Sequence, residues 1–142
     1  MIVILDTSVV LSHLLSRGNN NTVQIFESAK SKKIILAICK ETLNELKIKL
    51  SSPEIKKLLQ YKPHLNAIFI AWYQYNAKMY SLNPANVHFN VRDPNDIIYL
   101  QLALISKANY LISGDKDLLI LQKIGKTSII KPNIFVNKFM FE

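Results

Sequence analysis

The sequence predicts a three-layer α/β/α fold, with helices on both faces of a central, mainly parallel sheet of about four to five strands. Three observations predict it. Short apolar runs of strand length recur, the clearest at residues 2–5 and 34–38, and continuous runs of this kind suit strands buried on both faces. Longer stretches between the runs repeat their apolar residues at helical spacing, and such alternation leads to parallel pairing. All five aspartates, finally, either follow a predicted strand or stand where a helix begins.

Residues 2–5 are the first strand, which the chain leaves at Asp6-Thr7-Ser8. Residues 9–15 read as a short apolar helix, and Arg17-Gly18-Asn19-Asn20-Asn21 as a loop. Thr22 can cap a second helix running to about Lys30. The second strand, 34–38, leads into a helix over residues 41–50 whose Leu43, Leu46 and Leu50 share one face. Ser52-Pro53-Glu54 is a cap followed by proline at the first helical position, and it opens a helix with Ile55, Leu58 and Leu59 inward. Lys62-Pro63 breaks that helix. Over residues 64–80 the spacing of Ile68, Trp72, Tyr75 and Met79 predicts a longer helix, its aromatic stripe read as core rather than as a base-stacking platform. Asn83-Pro84 marks a turn and residues 87–91 a short strand. Asp93-Pro94-Asn95-Asp96 opens a strongly apolar helix over 97–107. Residues 110–113 form a strand, Gly114-Asp115-Lys116-Asp117 a turn, 118–122 a short helix, and 127–130 the last strand before Lys131-Pro132 and a short tail.

With 142 residues and no internal repeat, low-complexity tract or linker, residues 1–142 read as one domain with its own core. Hydrophobic residues make up 49% and charged residues 20%, a balance unlike that of a disordered chain. A formal net charge of +8 creates a field that gathers polyanions, although many small proteins are basic without such a partner. The single cysteine, Cys39, follows an apolar run, reads as a small buried hydrophobe, and points to a reducing, cytoplasmic setting. The first strand runs straight into Asp6 without a basic leader or cleavage site, so it is not read as a signal peptide. No apolar stretch approaches the roughly 20 residues needed to cross a bilayer, so no membrane association is expected. With three glycines in all, no GxGxxG follows the first strand, and no nucleotide cofactor is expected.

The aspartates carry the chemistry. In an open parallel α/β sheet, ligands bind beyond the carboxyl ends of the strands. With 2–5, 87–91 and 110–113 as parallel neighbours, Asp6, Asp93, Asp96, Asp115 and Asp117 converge on one edge. Carboxylates so gathered repel one another unless a cation neutralises them, and oxygen-only ligation without paired His or Cys selects Mg²⁺ or Mn²⁺ over Zn²⁺. Each acid also has a plainer reading. Asp93-Pro94-Asn95-Asp96 has the layout of an N-cap, a first-position proline and an acidic third residue, and Asp115 or Asp117 could cap the helix that follows. Asp6 resists that reading, because a carboxylate directly after a buried strand needs a partner and no Lys or Arg is near it in sequence. Glu45 flanks the apolar face of its helix and belongs either to the site or to a solvated pair with Lys49 at i+4. Glu41, farther from that face, reads as exposed.

The segments Ile4-Leu5-Asp6-Thr7-Ser8, Leu43-Asn44-Glu45-Leu46, Asp93-Pro94-Asn95-Asp96 with Ala103 after it, and Leu111-Ile112-Ser113-Gly114-Asp115-Lys116-Asp117-Leu118-Leu119 follow one another in an order that spans essentially the whole chain. That ordered set resembles the PIN-domain family, and most of all the toxin components of toxin–antitoxin systems, the VapC-like ribonucleases, in which DPxD and (T/S)GDxDLL segments recur. The resemblance implies a PIN-like, Rossmann-like fold and a Mg²⁺- or Mn²⁺-dependent endoribonuclease. It implies Asp6, Glu45, Asp96 and Asp115 as catalytic acids, with Asp6, Asp96, Asp115 and the assisting Asp117 holding the metal. Thr7 and Ser113 match small hydroxyl positions beside that site, and Lys116 could hold the RNA backbone, although a solvated lysine is its plainer reading. Asp93 matches the first acid of DPxD and serves in part as a cap. RNA as substrate, a cognate antitoxin and a second copy in a homodimer are the implied partners. Residues 53–86 have no feature tied to the family's function.

An aspartyl-phosphate phosphatase also begins with an apolar strand ending in Asp, but it needs a second Asp two residues on, where this chain has Ser8. An RNA-processing nuclease and a non-catalytic RNA- or protein-binding module stand as alternatives, the second weakened by acids at every quartet position.

Overall fold

The computed structural model describes residues 1–15, 21–59, 63–82, 89 and 91–139. Its strands are β1 (Ile2–Leu5), β2 (Ile35–Cys39), β3 (Lys78–Tyr80), β4 (Tyr110–Ile112), β5 (Lys123–Ile124) and β6 (Thr127–Ile130). Its helices are α1 (Thr7–Leu15), α2 (Asn21–Lys30), α3 (Lys40–Leu50), α4 (Pro53–Leu58), α5 (Pro63–Asn76), α6 (Ile97–Ser106), α7 (Lys116–Leu119) and α8 (Pro132–Phe139), with a 3-10 turn at Pro94–Asp96 leading into α6.

The six strands pair in the order β3-β2-β1-β4-β6-β5, and only the β5–β6 hairpin is antiparallel. β1 is central: Val3 lies opposite Leu36 on one side and Tyr110 on the other. Its alternate residues serve two cores. Val3 and Leu5 cluster with Phe26 of α2, Leu46 of α3, Tyr73 of α5 and Phe135 of α8. Ile4 clusters with Tyr99 and Leu100 of α6 and Leu118 of α7. A strand covered on both faces has no solvent side, which is why residues 2–5 show no polar alternation. The sheet with its two helical coats makes the three layers. Leu100 and Leu102 are fully buried, and truncating such a side chain to alanine costs about 2–5 kcal/mol. Among the described residues no helix is long and apolar enough to cross a membrane.

Several elements differ from the sequence expectation. The helix expected over 64–80 stops at Asn76, and Lys78, Met79 and Tyr80 pair with Ala37, Ile38 and Cys39 of β2. Apolar spacing at Tyr75 and Met79 suits a helix, but without β3 the edge of β2 would be left open, and tertiary pairing overrides local preference. Tyr73 of the expected aromatic stripe is core, whereas Tyr75 is 89% exposed. Ile55 of α4 and Leu59 just after it pack against the core, but Leu58 is exposed. The strand expected at 87–91 lies mostly outside the described residues, and Phe89 and Val91 carry no strand pairing. The neighbours of β1 are β2 and β4; β4 leads to Asp115 and Asp117 as expected, whereas Asp93 and Asp96 arrive on the turn before α6 and not from a strand paired with β1. The tail after Lys131 is the helix α8, since proline is well tolerated at a first helical position and the spacing of Phe135 and Phe139 turns both rings toward Tyr110. β5 and β3 bring the sheet to six strands, beyond the four to five expected.

Candidate metal centre

The site grows from the carboxyl ends of β1 and β4. The parallel ladder runs one residue past each strand: the Asp6 N–H donates to the Ile112 carbonyl and the Ser113 N–H to the Ile130 carbonyl, both at 3.0 Å. These bonds hold Asp6 and Ser113 at the sheet edge. The Asp6 carbonyl then accepts from the Val9 and Val10 N–H groups as α1 begins. Its carboxylate is buried, and Oδ2 accepts from the Ser113 hydroxyl at 2.7 Å and the Ser8 hydroxyl at 3.0 Å. The Ser113 oxygen accepts the Asp115 N–H at 2.9 Å. Among the described residues Asp6 thus finds two hydroxyl donors and no cationic side chain as its close partners.

The two capping readings hold as well. Asp93 Oδ1 accepts the Asn95 N–H, and Asp115 Oδ1 accepts the Asp117 N–H, each at 2.9 Å. Asp115 therefore caps α7, whereas Asp117 lies within the helix. Asp96 is different. It is buried, and its Oδ2 finds no hydrogen-bond partner among the described residues. One carboxylate oxygen from each of Asp96, Asp115 and Asp117 falls within 4.8 Å of the others. Burial first, then the nearby Asp115 carboxyl, with Asp93 and Asp6 adding, pushes Asp96 up to about 7.

Glu45 satisfies both of its sequence readings. Its Oε1 faces Lys49 Nζ at 3.3 Å and its Oε2 accepts from the Tyr99 hydroxyl at 3.0 Å, while the side chain lines the same cleft as Asp6, Asp93, Asp96 and Asp115. The cleft holds about 450 Å³. Burial, followed by the charge of Asp6, raises the Tyr99 phenol well above its ordinary value, so its proton stays on and is given to Glu45.

Of the residues singled out in the sequence, Asp6, Glu45, Asp96 and Asp115 line one cleft, and Asp117 is in reach of the last two. Ser113 is buried with its hydroxyl committed to Asp6 and Asp115. Thr7 is buried with its hydroxyl against the Tyr99 phenol, and it is not among the cleft-lining residues. Lys116 is exposed on α7 and does not line the cleft. Three contributors escaped the sequence reading: Ser8 on Asp6, Tyr99 on Glu45, and Lys49 as a lining cation. Lys49 had a signal in its i+4 spacing from Glu45; Tyr99 had none, since an aromatic ring in an apolar helix reads as core.

An all-oxygen donor set, a buried carboxylate oxygen without a donor among the described residues, and burial joined by repulsion from neighbouring acids that together lift Asp96 fit a hard divalent cation. Fold and site together define an α/β protein with a cluster of carboxylates in a cleft at the carboxyl edge of its sheet. The family model for the PIN domain matches residues 2–117, and the chain belongs to that family, whose members are typically Mg²⁺-dependent nucleases. Two solved structures share the fold. A chain in the crystal structure of VapBC2 from Rickettsia felis, bound to a DNA fragment from their promoter, is 15% identical at a TM-score of 0.59, covering 91% of this chain and 97% of that one. The PIN domain of human SMG5 is 14% identical at 0.51, covering 98% and 99%. No curated protein matches the chain.

Proposed function

We propose that residues 1–142 form a single metal-dependent endoribonuclease domain that hydrolyses phosphodiester bonds, and that the chain is the toxin of a toxin–antitoxin pair. The observation that carries this reading is the convergence of Asp6, Glu45, Asp96 and Asp115 on one cleft, with Asp96 Oδ2 lacking any hydrogen-bond partner among the described residues. Asp6, Asp96, Asp115 and Asp117 are the residues to hold Mg²⁺ or Mn²⁺. Such an ion, when bound, lowers the pKa of an attacking water and stabilises charge on the phosphate.

The chain's own residues supply the frame. Ser8 and Ser113 orient the Asp6 carboxylate by donating to it. Ser113 also ties Asp6 to Asp115 through the Asp115 N–H, so acids from two strands move as one unit. Thr7 and Ser113 act as supports under the substrate rather than as direct contacts. Lys49 meets the phosphate backbone from within the cleft and Lys116 from outside it. The net charge of +8 supports a polyanionic substrate. Likeness in fold to a chain of the VapBC2 structure is what speaks for the toxin role; a cognate antitoxin and a second copy as protein partners, and the cytoplasm as the place of action, complete the proposal.

The test is cleavage of a mixed cellular RNA pool by the purified protein with Mn²⁺ or Mg²⁺, beside EDTA and an Asp96→Asn control. Metal-dependent cutting that is lost in the control is the expected result. A protein that neither cuts nor binds Mn²⁺ is a non-catalytic module, and the catalytic reading fails.

A further inference from the structure

The Tyr99 hydroxyl lies behind the cleft and joins Thr7, the residue after Asp6, to Glu45. Tyr99 is 1% exposed, on the first turn of α6. Its oxygen accepts the Thr7 N–H at 3.1 Å, lies against Thr7 Oγ1, and sits 3.0 Å from Glu45 Oε2. A phenol has one proton and a carboxylate none, so the directions are forced: Tyr99 donates to Glu45, and the Thr7 hydroxyl donates to Tyr99.

The ring packs among Ile4, Leu100 and Leu118, where phenylalanine would fill the same space. A buried hydroxyl is costly unless bonded, and among the described residues this one is bonded to the residue after Asp6 and to Glu45. On the other side of Glu45, Lys49 is 48% exposed and free to exchange its partner for solvent. The ordered anchor of the Glu45 carboxylate is therefore the tyrosine. A glutamate side chain has many rotamers, and one hydrogen bond from a fixed donor selects the one that keeps its head in the cleft.

We propose that Tyr99 is a positioning residue for the metal-dependent chemistry: its hydroxyl, held by Thr7 at the start of α1, fixes the Glu45 carboxylate of α3 in the cleft as an outer partner of the ion that the four aspartates would hold. The inference rests on the nuclease reading above. Thr7 thereby acquires a role as well, as the support of Tyr99.

Tyr99→Phe keeps the ring and removes the hydroxyl. It is to be compared with Glu45→Ala and with the double variant, in Mn²⁺ binding without RNA and in cleavage at saturating RNA. Tyr99→Phe weakens Mn²⁺ binding and lowers kcat, each by about tenfold, with KM for RNA unmoved, the size usual for losing a group that orients a ligand. In the Glu45→Ala background the same change alters neither quantity, because the hydroxyl then has nothing to orient. Where Tyr99→Phe loses its cooperative melt, Thr7→Val takes its place, with the same pattern at smaller size. Unchanged Mn²⁺ affinity and kcat in Tyr99→Phe overturn the proposal. So does an equal loss with and without Glu45, which marks a packing defect. Failure of the parent reading looks different: the unsubstituted protein then neither binds Mn²⁺ nor cuts RNA, and the positioning role falls with it.

Discussion

Two hollows border helix α3 and have little else in common. The larger, about 650 Å³ between α3, α4 and α5, is lined by Leu50, Leu59, Ala67, Ile70 and Ala71, with Lys47 and Lys56 at its margin and no acid. The smaller, about 450 Å³, collects Asp6, Glu45, Asp93, Asp96 and Asp115. Helix periodicity divides α3 between them, Glu45 and Lys49 toward the cleft, Lys47 and Leu50 toward the groove. The groove is large because its walls pack loosely: α4 has no buried residue, and among the described residues of α5 only Tyr73 is buried. The cleft is small because strand ends and hydrogen bonds draw its walls together. Volume follows packing, whereas chemistry follows buried polar groups without partners.

The sharpest separation between the two hollows comes from Asp96→Asn. Cleavage falls by more than about a hundredfold, the upper range for losing even an outer partner of a metal site. The same substitution raises the stability of the metal-free protein. A carboxyl pushed from 3.8 to about 7 on folding favours the folded state only while protonated, so its contribution is present below pH 3.8 and is lost as pH rises through 7. In EDTA the variant therefore melts above the unsubstituted protein at pH 8, and the gap shrinks toward pH 5. Adding Mn²⁺ at pH 8 reverses the order, because the ion stabilises only the protein that binds it. Thermal melts at both pH values check this, and a gap that does not change with pH removes Asp96 from the crowded cluster.

The same contrast sets how far the sequence could be read. β1, β2, β4 and β6 declare themselves through apolar composition, and the acids at their ends follow from parallel topology. β3 does not, because Lys78, Met79 and Tyr80 continue a helical spacing and become a strand only against the open edge of β2. α8 hides behind Lys131-Pro132, which reads equally as a stop and as a start. Within the site, Asp6, Glu45, Asp96 and Asp115 were legible as types at positions. The hydroxyls of Ser8 and Tyr99 were not, since a hydrogen bond spanning 54 residues, as from Tyr99 to Glu45, leaves no local trace.

A smaller effect belongs to Lys49, the cation that lines the cleft. Lys49→Gln raises KM for RNA about threefold and lowers the slope of binding against salt by about one, with kcat little changed, as expected of a phosphate contact. Lys116→Gln, at an exposed position outside the cleft, shifts KM less. Titration of RNA binding at several salt concentrations measures both. A drop in kcat without a change in salt slope would instead place Lys49 with Glu45 in the chemistry.

The smallest effect, and the one that could break the comparison, lies in the groove. Gln74 is exposed on α5 and lines it, and Gln74→Glu adds an acid to a hollow that has none. If the groove is only a loosely packed corner, kcat and KM stay within about twofold, the usual range for a surface change away from any special feature. Because α3 presents Lys47 to the groove and Lys49 to the cleft, an RNA long enough to cover both would feel the new charge as repulsion. A rise in KM with kcat unchanged is that outcome. It would make the groove an extension of the cleft along α3, joined by its lysines, and the line between shape and chemistry would then run through the substrate rather than through the protein.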